Sequence, residues 1–424
     1  MSDFSGQKPR RSSQVGHLHS KPKIRKGTTR VSYELASKIR SGHPWIYRES
    51  IDTRRFQGTM GGLVTLVDPD GDFVAKCIVD GSTPILMRVV SRNPHREADK
   101  ELFFERVKRA IDHRRECIDF DDYQCCRIIN GESDGLPGFH VERYGDFVLA
   151  QMYTPAVIEQ SEWVYDAIME SLQPKGIYEQ RRFKPLSGEA PKRNAARLVR
   201  GEAAPVELEI QEGDLKFYAD VTAPLSTGLF ADLRLGRGAI RRWSKDRKVL
   251  NLFSYTGAIS VYAKAGGATE VTAIDVAAKA HARARRNFDL SGFDGEEHEH
   301  IADDALKVLA RFANRGRKFD MVAIDPPAFA SAAKKGGKPW SALKDYAELV
   351  AASLEVLNPG GILAAACSTH KMSHLDFDAS LAKGSETTGR ELSVVERVGL
   401  PVDFPVHVGF PEGNYLKFAI CKAD

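Results

Sequence analysis

Cysteine is scarce here and badly placed for a metal or disulfide framework. The 424 residues hold six, Cys77, Cys117, Cys125, Cys126, Cys367 and Cys421, and no two are spaced C-x-x-C. The adjacent Cys125 and Cys126 cannot share one ion without strain, so no zinc site is expected. Their wide scatter implies a reducing compartment rather than a disulfide scaffold. Long apolar runs are missing as well, and the N-terminus shows no export signal. The expectation is a cytoplasmic protein without a membrane partner. Nor does one sign of charge dominate: the formal net charge is +4, weak support by itself for an anionic partner. A G-x-G-x-x-G turn is also absent, which excludes the usual pyrophosphate-binding site of dinucleotide enzymes.

What is present is length and local contrast. A chain this long divides into two or three domains, and a hydrophobic content of 42% supports large cores. Residues 1–29 carry Lys8, Arg10, Arg11, Lys21, Lys23, Arg25 and Lys26 against the single acid Asp3. That composition predicts a disordered basic arm, either attracting phosphates or merely solvated. Residues 30–95 read as a small β-rich unit: a helix over Ser32 to Ile39, the turn Gly42-His43-Pro44-Trp45, and strands at Leu63–Val67, Phe73–Val79 and Ile85–Val90. Asp68-Pro69-Asp70-Gly71 supplies the turn chemistry of a hairpin.

Residues 96–212 read as a mixed α+β unit, with a charged helix from Glu101 to Cys117 and strands at Arg127–Asn130 and His140–Tyr153. Between those strands, Gly131 to Gly138 packs three glycines and a proline into eight residues. Such a run forces a fixed irregular loop, and a structural role is the preferred reading over a catalytic one. Lys184 to Pro205 is expected to be an exposed loop.

From residue 213 to 424 short apolar runs come to alternate with helical stretches. Strands are expected at Val249–Phe253, Glu270–Ile274, Phe319–Ile324 and Gly361–Ala366, with helices at Val276–Asn287 and Tyr346–Leu357. The stretch from Pro411 to Ala419 is expected to close the sheet. This is the βαβ pattern of an α/β, doubly wound, Rossmann-like domain, whose ligands bind at the carboxyl ends of the strands. The first strand ends in Asn251, Phe253, Ser254, Tyr255, Thr256 and Gly257, where backbone can approach a ligand closely. Asp275 ends the second, placed for a ribose diol, and Asp303 and Asp304 follow the third, placed for an adenine amine. These residues suit a nucleoside without phosphates, which points to S-adenosylmethionine.

Asp325-Pro326-Pro327 ends the fourth strand. Two prolines remove two N–H donors and fix φ, holding Asp325 at the sheet edge, where it can grip the amine edge of a flat base. Asp325 and Pro326 also flank the expected cofactor site. A plain turn is the bland alternative. Amine-methylating enzymes with this motif carry an aromatic directly after the prolines; here Ala328 stands there and Phe329 follows. The fifth strand ends in Cys367-Ser368. A buried cysteine is most often a small hydrophobe, but this one is expected beside Asp325. Cytosine C5 becomes nucleophilic only when a thiolate adds to C6, and Cys367 with Asp325 would supply that pair.

These segments resemble the RlmI family of bacterial large-subunit rRNA cytosine-5 methyltransferases. The resemblance rests on His43-Pro44-Trp45, Glu132 to Gly138, Leu250 to Gly257, Asp325-Pro326-Pro327, Cys367-Ser368 and Pro411-Glu412-Gly413. It implies an N-terminal PUA domain for RNA at 30–95, a central domain at 96–212, and a class I methyltransferase domain at 213–424. It also implies a cytosine of 23S rRNA as substrate and a homodimer. Departures stand beside it. Where the family has a Tyr-Leu-Asp-Gln-Arg hairpin, this chain reads Leu229 to Arg234, keeping Asp232 and Arg234 as candidate cofactor or substrate contacts but lacking the Gln. After Ser368 it reads Thr369-His370-Lys371-Met372 rather than Gly-Leu-Met, and no base for the C5 proton is visible. Two other readings stay open: the same fold methylating another base atom such as guanine N7, and an inactive RNA-binding module. A loop with Lys334, Lys335 and Lys338 reads as a phosphate-gripping lid or as a plain exposed loop.

Overall fold

The computed structural model describes residues 27–54, 56–184, 196–224, 226–330 and 339–424. The basic arm up to residue 26 and the lysine-rich loop at 331–338 lie outside the described residues.

The first unit is a five-stranded sheet of β1 (Thr28–Arg30), β2 (Trp45–Tyr47), β3 (Leu63–Val67), β4 (Phe73–Val79) and β5 (Ile85–Ser91), in the order β1-β3-β4-β5-β2. Its α-helix, α1 (Tyr33–Arg40), begins where Ser32 accepts a hydrogen bond from the Leu35 N–H. Such a cap is worth about 1 kcal/mol. Leu35, Ala36 and Ile39 face the sheet at helical spacing.

The second sheet runs β10-β9-β8-β7-β6, made of β6 (Cys125–Asn130), β7 (Phe139–Tyr144), β8 (Phe147–Met152), β9 (Gly176–Arg181) and β10 (Arg197–Gly201). Helices α2 (Lys100–Cys117) and α3 (Ile158–Leu172) cover one face. The run from His140 to Tyr153 is two strands rather than one, because Gly145 at φ 58° turns the chain. Part of the expected loop Lys184 to Pro205 is the edge strand β10. Main-chain bonding to β9 makes it a strand despite its polar composition, and residues 185–195 lie outside the described residues. Successive strand side chains point to opposite faces, and the adjacent cysteines show it. Cys126 joins the core under α2 and α3, whereas Cys125 joins the core shared with the C-terminal unit. The central sheet is therefore sandwiched, and the two units share one apolar interior.

After the hairpin β11 (Leu208–Glu212) and β12 (Leu215–Ala219), the chain builds a seven-stranded sheet. Its strands are β13 (Lys248–Leu252), β14 (Glu270–Asp275), β15 (Glu299–Ala302), β16 (Phe319–Ile324), β19 (Leu357–Cys367), β20 (Leu392–Val398) and β21 (Lys417–Ala423); β17 (Phe329–Ala330) and β18 (Trp340–Ser341) form a separate small ribbon. The order is β15-β14-β13-β16-β19-β21-β20, parallel from β15 to β19 and antiparallel at β21 and β20. Helices α4 (Arg234–Trp243), α5 (Ala258–Ala265), α6 (Ala278–Leu290), α7 (Ala305–Asn314), α8 (Ala342–Glu355) and α9 (His374–Thr388) accompany it. Burial on both faces explains the largely apolar character of β13, β16 and the end of β19. The chain reverses direction across the sheet between β13 and β16, and this is where a crevice opens. The closing strand starts at Lys417; Pro411–Gly413 is a short 3-10 turn before it.

Candidate functional site

The turn after β13 is built under strain. Phe253 and Tyr255 adopt left-handed backbone at φ 58° and 45°, and Gly257 follows at 81°. Non-glycine residues in that region cost of order 1–3 kcal/mol each and cluster at functional sites. Two buried side-chain atoms here, Asn251 Oδ1 and Ser254 Oγ, have no hydrogen-bond partner among the described residues. Asn251 is itself pinned, its Nδ2 donating to Ser260 Oγ at 2.9 Å. Thr256 donates to the Gly228 carbonyl, which ties the turn to the segment before α4. Asp275, at the end of β14, accepts from the Tyr255 N–H and the Ala277 N–H, both at 2.9 Å. Asp304 caps α7 through the Lys307 N–H, while Asp303 pairs with Arg311 at 2.6 Å. The Asp304 N–H and then Arg311 hold Asp303 below the usual carboxylate range. The turn, Asp275 and Asp304 thus line one end of the sheet.

Further along that edge lie Asp325 and Cys367. Ile324 pairs with Ala365 across β16 and β19, so both side chains leave the same end of neighbouring strands. Asp325 accepts no hydrogen bond from the described residues. It keeps a partly open face, yet burial pushes its carboxyl up to about 7, helped by the negative charge of Asp232. Cys367 is 1% exposed. Burial raises its thiol, opposed by a backbone hydrogen bond at Thr369 and by Lys417. Lys417 is its direct cross-strand neighbour on β21. That amine is buried too, donating to the Thr369 and Tyr415 carbonyls at 2.6 Å each.

In front of this edge the three units enclose a cavity of 380 Å³, within the range of about 300–1,000 Å³ typical of small-molecule sites. Asp232, Ser368, His370 and Tyr415 line it near Cys367, and Trp45, Glu132 and Glu412 line it where the first unit meets the others. Asp232 accepts from the Tyr415 hydroxyl at 2.8 Å, and its carboxyl is raised by burial. Arg234 does not join it. Its guanidinium pairs with the buried Asp403 and lies 4.9 Å over the Tyr123 ring, so this candidate contact is a structural tie between units. Within Leu229 to Arg234, Ala231–Leu233 is a 3-10 turn that opens α4 rather than a hairpin. That difference turns Asp232 and Arg234 to different surroundings.

Residues 171–413, more than half of the chain, match the family model of S-adenosylmethionine-dependent methyltransferases. The chain belongs to that family. Residues 30–92 match a PUA-like domain. Ribosomal RNA large subunit methyltransferase I of Klebsiella pneumoniae (strain 342) is 30% identical over 90% of this chain and 94% of its own length. The enzyme of that name from Escherichia coli O157:H7 is 30% identical over 90% and 95%. Among solved structures, a methyltransferase complexed with SAH superposes at a TM-score of 0.84 with 24% identity, covering 93% of this chain and 99% of that one. This shared fold is the Rossmann-like arrangement expected from the sequence. S-adenosylmethionine is the cofactor of the family, and this methyltransferase fits it. Unpartnered Asn251 Oδ1 and Ser254 Oγ, a strained turn with close backbone and an acid at the end of β14 make a polar site that needs no phosphate.

Sequence reasoning did not single out several residues at or beside the cavity. Lys417 carried no signal, because a lysine at a strand start is ordinarily solvated. Tyr415 stood in the stretch expected to close the sheet and His370 in a segment without periodicity, and only the folded chain brings them to Asp232 and Ser368. The opposite holds for His43, Glu132 and Glu412. Their motifs were legible, but not that all three meet at one junction.

Proposed function

We propose that this methyltransferase transfers a methyl group from S-adenosylmethionine to C5 of a cytosine in RNA, in particular large-subunit rRNA. One observation carries the reading: Asp325 and Cys367 leave adjacent strand ends together, with Lys417 paired opposite the thiol. The relatives named as large-subunit rRNA methyltransferases and the PUA-like match support an RNA substrate.

In this reading Asn251, the turn Phe253 to Gly257, Asp275, Asp303, Asp304 and Pro326 hold the cofactor, which supplies an electrophilic methyl when bound. The other work falls to Cys367, Asp325 and Lys417. The Cys367 thiolate adds to C6 of the ring, forming an S–C6 bond. A carboxyl with a pKa near 7 is still protonated in a large fraction at neutral pH, so Asp325 can give its proton to N3 as that bond forms. C5 then has enamine character and takes the methyl group. Loss of the C5 proton to a base, cleavage of the S–C6 bond and return of the N3 proton to Asp325 restore aromaticity and release the thiolate. The buried Lys417 ammonium stabilises the thiolate at the start and at the end.

A second reading has one observation in its favour. Cys367 is almost wholly buried and its thiol is raised, as expected of a packing residue beside a site that methylates another base atom. The test is incubation with labelled S-adenosylmethionine and unmodified rRNA, then nucleoside mass spectrometry, for wild type and Cys367→Ala. Labelled 5-methylcytidine from wild type alone supports the proposal. Label in another nucleoside, or an active variant, overturns it.

A further inference from the structure

Methylation at C5 leaves one proton without a destination. Methyl transfer puts a second substituent on that carbon, and the hydrogen already there must leave before the S–C6 bond can break. The group that takes it has to be unprotonated near neutral pH, free of other partners, within reach of C5 and open to water. Cys367 is by then bonded to C6, and the Lys417 ammonium has no lone pair to offer. Asp325 takes back the N3 proton. Asp232 is committed to the Tyr415 hydroxyl.

The chain just beyond Cys367 holds a group of the required kind. Ser368 and His370 both line the cavity. Between them Thr369 turns inward: its backbone hydrogen-bonds the Cys367 thiol, and its carbonyl accepts from Lys417 Nζ at 2.6 Å. The Met372 N–H returns to the same carbonyl at 3.3 Å, which closes a four-residue turn. Thr369 and Met372 are buried, whereas His370 and Lys371 at the tip are exposed. The imidazole is therefore carried by a turn anchored at both ends, directly after the residue that touches the thiol. It makes no hydrogen bond with the described residues. Partial desolvation, then the charges of Lys371 and Lys417, hold it below the usual histidine range, so it is neutral near neutral pH.

We infer that His370 is the base that removes the C5 proton. The inference rests on the cytosine-5 reading. In the adduct C6 joins C5 to the sulfur, so a base held beside the thiol is held beside C5. A methyl group entering on the face away from the sulfur leaves the hydrogen on the sulfur's face. An imidazole nitrogen takes that proton, the C5–H electron pair becomes the C5–C6 double bond, and the C6–S pair departs with the sulfur as thiolate. The new imidazolium and the Lys417 ammonium then stand on the thiolate's side. Because the turn tip is exposed, His370 passes its proton to water and is ready for the next cycle.

The test follows the proton and the adduct together. Wild type, His370→Gln and His370→Ala are incubated with methyl-labelled S-adenosylmethionine and an unmodified rRNA transcript carrying tritium at cytosine C5. The variants are expected to transfer the methyl group and then stall. Methyl label should collect in a protein–RNA adduct that survives a denaturing gel, and tritium release should fall about 10²-fold or more, the size of a lost general base. Free imidazole should clear the adduct formed by His370→Ala. A transcript containing 5-fluorocytidine separates this inference from the reading beneath it, since fluorine cannot leave as a proton does and wild type should be trapped. No adduct between wild type and that transcript overturns the cytosine-5 reading and the inference with it. An adduct there, with tritium release by His370→Gln equal to wild type, overturns the inference alone. So does a variant that binds S-adenosylhomocysteine normally yet transfers no methyl group, because its block then precedes the proton step.

Discussion

Cys367 on β19 and Lys417 on β21 are direct cross-strand partners, and both are almost wholly buried. Each shifts the other: the lysine lowers the thiol, and the thiolate raises the amine, against burial that opposes both charges. Neither side chain would be easily ionised there alone. Together they hold a thiol and an amine side by side in a place closed to water.

Replacing Lys417 with Met should therefore remove the stabilisation of the thiolate. The Cys367 thiol, followed by thiolate absorbance against a Cys367→Ser reference, should titrate at higher pH than in wild type. Turnover near neutral pH should fall at least tenfold, with Lys417→Arg recovering part of the loss. A thiol titration unchanged in Lys417→Met would end the case for this role.

Asp325 gives a signed dependence on pH. Its folded value of about 7 lies above the unfolded one, so the folded state binds its proton more tightly. The associated stability is present below the unfolded value and is lost as pH rises through about 7. Asp325→Asn should melt above wild type at about pH 8, and the gap should close toward about pH 4. Turnover of the same variant should fall about 10²-fold or more if the acid donates to N3. Melting curves across pH and single-turnover rates check the two halves separately.

The Asp275 carboxylate organises the turn through the Tyr255 and Ala277 N–H groups. Asp275→Ala should weaken S-adenosylhomocysteine binding by about tenfold to a hundredfold, since hydrogen bonds to charged groups contribute about 1.5–3 kcal/mol. Titration calorimetry on the unmodified fold and the variant measures this directly. Unchanged affinity would remove Asp275 from the cofactor site.

Gly257 combines two restrictions. It sits at φ 81°, and a Cβ there would lie 2.8 Å from the Ala284 Cβ. Gly257→Ala should cost about 1–2 kcal/mol from the left-handed backbone alone, with the clash added, and should displace the turn before α5. A lower melting temperature and loss of cofactor affinity are expected together. A stable variant with normal affinity would show that the turn adapts.

Much of the architecture was legible because it repeats at short range. Apolar runs bounded by helical stretches announced β13, β14 and β16, since strands buried on both faces are mostly apolar. Asp275, Asp304 and Asp325 could be placed because topology puts strand ends at one edge. Edge strands escaped detection: β10 and β20 are held by main-chain bonds, which leave little trace in side-chain pattern. Arg234 misled for a related reason. An arginine beside a motif reads the same whether it faces a ligand or closes on a buried Asp403.

The sequence by itself determined the class of fold, the cofactor and the residues at the strand ends, because periodicity and turn chemistry are local properties of the chain. Only the tertiary structure decided that Lys417 lies opposite Cys367, that Asp232 lies near enough to raise Asp325, and that Trp45, Glu132 and Glu412 meet at one cavity, with His43 against Glu412. Those relationships depend on antiparallel register and on how three units pack. Both are set by hydrogen bonds and buried contacts between segments far apart in sequence, and no local pattern records them.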